Sequence, residues 1–349
     1  MIKIKNKILN KLFKNNMPVL VAEISANHNG SLAKAKRLIN SAKKHGADLV
    51  KLQTYTPYTM TIKSNKKDFK ITQGLWKGKT LWDLYSKAQT PFNWQKILFN
   101  YAKKKNIPCF STPFDESALK VLEEINCPFY KISSFEMTDI PLIKQVAKTK
   151  KPVIISTGLA SLQEIETTIR KARQYGIRDL IILYCVSSYP AKLKDFNLNN
   201  IKILMKKFNC IVGLSDHSKD NLVAQTAVAL GAQVIEKHIA LDNQVKGFDH
   251  DFSIRGKEIR EFKNSLVNTW KLLGQKYFKR SKNEKYNMKF RRSIYIVKNI
   301  KKGEKFSKIN LRRIRPGYGL PPIFYDKIIG KKALKNLSSG TPLKLKYVK

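Results

Sequence analysis

The chain has 349 residues, 42% of them hydrophobic, and a formal net charge of +43. That length suits one large domain plus a small one, and no apolar run approaches the ~20 residues that cross a bilayer. The charge taken alone points to nucleic acid or an anionic surface, but the lysines are spread along the whole chain and no basic run is interleaved with stacking aromatics. The expectation is a solvated lysine-rich surface, with no nucleic-acid and no membrane partner.

Residues 1–17, beginning M-I-K-I-K-N-K-I-L-N-K-L-F-K, alternate charge with apolar residues. They lack the apolar core and small-residue cleavage site of a secretory signal. They read as a short N-terminal lead-in, and the protein as cytoplasmic. Strand-like runs then recur at 19–25, 49–54, 108–114, 129–134, 152–158, 180–187, 211–217 and 234–239. Segments of helical period separate them, such as 32–45, 162–175 and 222–230, with Gly46, Gly176 and Gly231 at three helix ends. Eight apolar strands alternating with helices imply parallel pairing under a helical cover. In nearly every strand the first half is apolar and the last residues are polar. An open sheet would gather its polar ends near one switch point. Polar ends on all eight strands fit a ring around one mouth, so a (β/α)₈ TIM barrel is expected over 18–274.

Residues 55–90 are too long for a simple turn, and the helix of that unit is expected later, from Phe92 to Lys105. An excursion of this kind lies over a barrel mouth and shapes specificity. A lysine-rich linker is expected at 275–287, followed by a small turn-rich module at 288–349 that contains I-R-P-G-Y-G-L-P-P. Cys109, Cys127, Cys185 and Cys210 form no Cys-x-x-Cys pair and read as reduced, buried, small hydrophobes.

Alternation along a strand puts i and i+2 on one face. It pairs Lys51 with Gln53, Lys131 with Ser133, Ser215 with His217, and Glu236 with His238. Two lysines among hydroxyls suit a phosphate or carboxylate, although strand-end lysines also snorkel to water. Two histidines at matching depth on consecutive strands suit a divalent transition metal, or are satisfied, partly buried imidazoles.

The motifs A-E-I-S-A-N-H-N-G-S (22–31), K-L-Q-T (51–54), S-T-P-F (111–114), Y-K-I-S-S-F-E (130–136), S-T-G (156–158), G-L-S-D-H-S (213–218) and E-K-H (236–238) stand in one order. The ordered set resembles the sialic acid synthase family, over nearly all of the chain from Pro18. The last module is similar to the antifreeze-like (SAF) domain that ends those proteins. The resemblance implies condensation of phosphoenolpyruvate with an open-chain amino sugar, giving a nonulosonic acid and phosphate. It implies a divalent metal, Mn²⁺ first, with Mg²⁺ or Co²⁺ as alternatives. It also implies a domain-swapped homodimer in which one subunit's SAF domain closes its partner's site.

Residue by residue, His217 and His238 match the metal ligands, and Glu23, Lys51 and Lys131 match catalytic positions. Lys51, Thr112, Lys131, Ser134, Ser156 and Ser215 match phosphoenolpyruvate contacts, with Glu23 near C2 of that substrate. Gln53, Phe114, Glu136, Tyr189 and Asp249 match positions around the substrates or the metal water, and Arg315 the arginine inserted from the partner. Ser187 departs from the asparagine of the sialic acid branch. Leu75, Trp76 and Phe135 are apolar, which suits a sugar that is deoxy at C6 and carries acetamido methyls; branches making N-acetylneuraminic or legionaminic acid are the alternative. Salt-sensitive nucleic-acid binding and a catalytically silent barrel are the competing readings from other classes.

Overall fold

The computed structural model describes residues 5–244, 246–274 and 277–349. The chain forms two compact units, Met1–Gly274 and Gln275–Lys349. In the first, eight parallel strands follow one another around a ring: β1 (Val19–Glu23), β2 (Leu49–Thr54), β3 (Cys109–Pro113), β4 (Tyr130–Ile132), β5 (Val153–Ser156), β6 (Leu180–Cys185), β7 (Ile211–Asp216) and β8 (Val234–Ala240). Pairing of β1 with β8 closes the barrel. A two-residue strand, β9 (Ile254–Arg255), pairs in parallel with the end of β8.

The helices are α1 (Lys7–Phe13), α2 (Leu32–Lys44), α3 (Pro57–Met60), α4 (Leu81–Ala88), α5 (Phe92–Lys104), α6 (Glu116–Glu124), α7 (Ile140–Lys148), α8 (Leu162–Gln174), α9 (Asn199–Phe208), α10 (Leu222–Ala229) and α11 (Gly256–Leu273). Their sequences explain where they start and which face they bury. Asp115 and Asp139 cap the first turns of α6 and α7, and Ser161 with Glu164 forms a capping box on α8. On α8 the buried residues Ile165, Ile169 and Ala172 fall at helical spacing, so one stripe packs on the sheet. The left-handed ends at Gly46, Gly176 and Gly231 (φ +90°, +103° and +108°) let three helices turn back into strands.

Three expectations change. The lead-in contains α1, whose Leu9 and Phe13 are buried in the barrel's core cluster; an i, i+4 pair is easily lost among lysines. Residues 1–4 of the lead-in and 275 and 276 of the linker lie outside the described residues. The 55–90 excursion contains the short helices α3 and α4 rather than loop alone. Several strands also end sooner than their apolar runs, so that Ser133, Ser134 and His217 sit just beyond β4 and β7.

The second unit holds a short helix, α12 (Lys282–Tyr286), within the expected linker. Beyond it lies an antiparallel pair, β10 (Ser293–Ile296) and β11 (Leu311–Ile314). A separate core, including Ile294, Ile296, Phe306, Leu311 and Leu343, holds this unit together. Among the described residues no helix is long and apolar enough to cross a membrane.

Gly213 on β7 has no room for a side chain: a Cβ would stand 2.2 Å from the Val234 carbonyl oxygen and 2.7 Å from Leu183 Cδ2. The obstacle is backbone, so it cannot rotate away. Gly213→Ala is expected to destabilise the barrel by about 3 kcal/mol, read as a fall of about 6 °C in the melting temperature followed by circular dichroism.

Candidate active site

Register brings the polar strand ends level. Glu23 pairs with Lys51 on one side and His238 on the other. Gln53 pairs with Thr112, and Ser215 with Glu236 and with Cys185. A cavity of about 220 Å³ opens there, and its lining includes Lys51, Gln53, Phe114, Lys131, Ser134, Glu136, Tyr189, Ser215, His217, His238 and Asp249. Glu23, Thr112 and Ser156 are buried at the same strand ends but are not among the lining side chains. Arg315 lies in the second unit.

The floor of the cavity is an ion cluster. Glu236 Oε1 lies 3.1 Å from Lys51 Nζ and 2.5 Å from Lys131 Nζ, and accepts from Ser215 Oγ at 3.1 Å. Lys51 Nζ is 3.4 Å from Glu23 Oε2, and Gln53 Nε2 donates to Glu23 Oε1 at 2.9 Å. All four charged side chains are at most 5% exposed. Burial opposes ionisation of Glu236, yet Lys131 and Lys51 outweigh it and hold its carboxyl well below the usual range. Glu23 goes the other way: burial pushes it up to about 7 against the pull of Lys51. Burial likewise pulls the Lys131 ammonium down. With Glu236 ionised and Glu23 partly protonated near neutrality, two ammonium groups are incompletely balanced, and the cluster favours an added anion.

Hydroxyls surround it. Thr112 Oγ1 and Ser156 Oγ are buried without a hydrogen-bond partner, a costly state that a phosphate or carboxylate oxygen would relieve. Gly158 donates its N–H to Ser134 Oγ at 3.1 Å. A Cβ on Gly158 would fall 2.1 Å from Ser187 Oγ and 2.8 Å from Ser134 Oγ, so the glycine of S-T-G allows a close approach.

Two residues beyond Ser215 and Glu236 along the chain stand the imidazoles His217 and His238, with aromatics around them. The His217 and His238 rings are 5.3 Å apart. Tyr189 lies 4.5 Å from His217 and 5.8 Å from Trp76, centroid to centroid. Trp76 Nε1 donates to the Phe248 carbonyl. His217 Nδ1 lies 3.1 Å from the Val186 carbonyl oxygen, which orients the ring and leaves Nε2 available. His238 Nδ1 is buried without a hydrogen bond, 3.6 Å from Asp249 Oδ2. Burial, reinforced by His217, holds His238 well below its ordinary pKa, so it is a neutral imidazole at pH 7. His217 is raised: burial opposes its charge, but Cys185 and the Val186 carbonyl favour it. Among the described residues no three His, Cys, Asp or Glu side chains converge as a ready metal cage. His217 and His238 are the residues that could hold a divalent ion, and substrate and water would have to complete its shell.

Sequence reasoning gives Glu236 only a supporting role beside His238 and passes over Ser25, which bridges Gln53 and Asp249.

The profile of the NeuB family matches residues 38–278, and that of the SAF domain residues 291–348. The chain is 42% identical to a pseudaminic acid synthase of Campylobacter jejuni, over 93% of this chain and 95% of that protein. It is 41% identical to a pseudaminic acid synthase of Helicobacter pylori, over 93% and 96%. Its fold is similar to an N-acetylneuraminic acid synthetase of Leptospira borgpetersenii solved with citrate: TM-score 0.70, 32% identity, 78% of this chain and 91% of that one.

Removing Glu236 would leave buried Lys131 without a carboxylate and Lys51 with Glu23 alone. Glu236→Ala is expected to cost about 3–5 kcal/mol of stability, measured by chemical denaturation, and added phosphate should restore part of the loss in the variant.

Proposed function

The chain belongs to the NeuB family of sialic acid synthases, and on that premise we propose that it is a pseudaminic acid synthase, condensing phosphoenolpyruvate with 2,4-diacetamido-2,4,6-trideoxy-altrose to a nonulosonic acid and phosphate. The observation that carries this reading is the buried pair of lysines beside partnerless hydroxyls, with two imidazoles lining the same cavity. The identity to two pseudaminic acid synthases supports the choice of sugar, as do the apolar Trp76 in the cavity wall and the exposed Phe135 at its rim.

In this reading Lys51 and Lys131 bind the phosphate and carboxylate of phosphoenolpyruvate, with Thr112, Ser134, Ser156 and Ser215 donating to its oxygens. His217 and His238 would hold a divalent ion, Mn²⁺ first, which when bound would supply Lewis-acid polarisation of the sugar aldehyde. C3 of phosphoenolpyruvate forms the new bond to the aldehyde carbon as the C2–C3 and aldehyde C=O π bonds break, and the aldehyde oxygen takes up a proton to become a hydroxyl. Glu23 stabilises the positive charge that develops at C2 and takes a proton from the water that adds there. Phosphate then departs as the C2–O bond breaks. Gln53, Glu136, Tyr189 and Asp249 orient the sugar, and Arg315 reaches the site of the partner in a domain-swapped homodimer. The reaction takes place in the cytoplasm.

Phosphate release with each candidate amino sugar, phosphoenolpyruvate and Mn²⁺ tests the reading. Turnover of the diacetamido-trideoxy-altrose is expected, abolished by a chelator and restored by Mn²⁺. Turnover of N-acetylmannosamine alone would sink it.

The pH profile carries a second expectation. Glu23 is raised to about 7, so its carboxylate dominates above that pH and its acid form below. The kcat/KM for phosphoenolpyruvate, which reports the free enzyme, should fall as pH drops through about 7, approaching tenfold per pH unit.

A further inference from the structure

Ser25 stands immediately beyond β1 in a left-handed backbone conformation, φ +46°, and is buried. For a residue with a Cβ that conformation costs about 1 kcal/mol. It aims the hydroxyl at Asp249 Oδ2, to which Oγ donates, while Oγ accepts from Gln53 Nε2 at 3.1 Å. Through Gln53 the same hydroxyl is linked to Glu23. One strained serine therefore joins the carboxylate beside His238 to the carboxylate beside Lys51.

Two residues on, Asn27 is fully buried and has every polar group engaged. Its Nδ2 donates to the Ile239 carbonyl at 2.8 Å and to Ser253 Oγ at 2.9 Å. Its Oδ1 accepts from the Asp249 N–H at 3.3 Å, and its carbonyl accepts from Gln244 Nε2 at 2.9 Å. Asn29 continues the series by donating to the Lys246 carbonyl. The chain after β8 lies so close that a Cβ on Gly247 would stand 2.9 Å from Asn27 Oδ1 and 2.6 Å from Gln244 Nε2. His28 fastens the turn from behind: its Nδ1 accepts from the Gly30 N–H and its Nε2 pairs with Thr90 Oγ1.

We propose that Ser25 and Asn27 are positioning residues for Asp249: Asn27 fixes the backbone that carries it, and the Ser25 hydroxyl sets its carboxylate against the imidazole half of the cavity. The inference rests on the proposed function only for what Asp249 meets there, the amino sugar and the ion.

The test uses the full-length chain carrying Ser25→Gly. Glycine adopts φ +46° without strain, so the turn is kept and only the hydroxyl is lost. The melting temperature should stay level or rise. The KM for phosphoenolpyruvate should stay within about twofold. Mn²⁺ affinity, titrated without substrates, or kcat with the amino sugar should fall about 10- to 100-fold. Ser25→Ala should show the same functional loss without the relief of strain. Asn27→Ala, if it folds, should speed amide hydrogen exchange across residues 248–253 and leave the barrel strands protected. Wild-type kcat and Mn²⁺ affinity in Ser25→Gly would overturn the proposal, as would a fall in melting temperature that parallels weaker phosphoenolpyruvate binding. If the wild type turns over no amino sugar, the pseudaminic reading fails, and Mn²⁺ titration with hydrogen exchange decides the role of Ser25 independently.

Discussion

Two lysines share one carboxylate at the bottom of the cavity, and the geometry of the site is organised around that arrangement. An ammonium group with no partner in a protein interior would lose its proton or unfold its surroundings. Lys51, Lys131 and Glu236 come from β2, β4 and β8, three strands that are not neighbours. They meet only because the barrel closes. Glu236 keeps both ammonium groups charged and aimed inward before any substrate arrives, and Glu23, partly protonated near neutrality, leaves the cluster short of negative charge. The site is thereby ready for an anion.

Behind the two histidines lies a second ion pair that points the other way. Asp216 and Lys237 are register partners on β7 and β8, both fully buried, with Lys237 Nζ 2.8 Å from Asp216 Oδ2. Each is the chain neighbour of a cavity-facing histidine, so alternation sends the pair to the outer face of the barrel, where Lys237 sits over the Phe262 ring of α11. A one-residue slip between these strands would break the pair and separate His217 from His238. Outer-face electrostatics and inner-face chemistry thus fix the same register.

Over this frame the mouth is shaped by loops. Trp76, from the long excursion after β2, meets Tyr189 from the loop after β6 and binds the backbone at Phe248 after β8. The cavity lining combines aromatic and charged side chains, which suits a ligand with an anionic end and an apolar end. The dispersed positive charge of the chain adds a long-range field of the sign that draws anions in.

The architecture and most of the chemistry were legible in the amino-acid order. Parallel strands of a barrel are buried on both faces, so each announces itself as an apolar run, and the polar residues that close each run mark the mouth. Lys51, Lys131, His217 and His238 could be picked out because charge at the end of an apolar strand is conspicuous in one dimension. What stayed hidden depends on separations no local pattern encodes. Glu236 looked like a neighbour of His238 until closure put it between lysines from two distant strands. Leu9 and Phe13 looked like part of a polar lead-in until the barrel supplied a surface to bury them. Ser25 and Asn27 are inconspicuous as single polar residues, since the partners that give them a role, Asp249 and Ile239, lie more than 200 residues further along. The sequence by itself determined which elements form and which chemistry their ends carry, because periodicity and residue type act locally. Which carboxylate neutralises which lysine, and which loop holds Asp249 in place, was decided by tertiary structure, because charge pairing and hydrogen bonding depend on distances of a few ångströms that only the closed barrel sets.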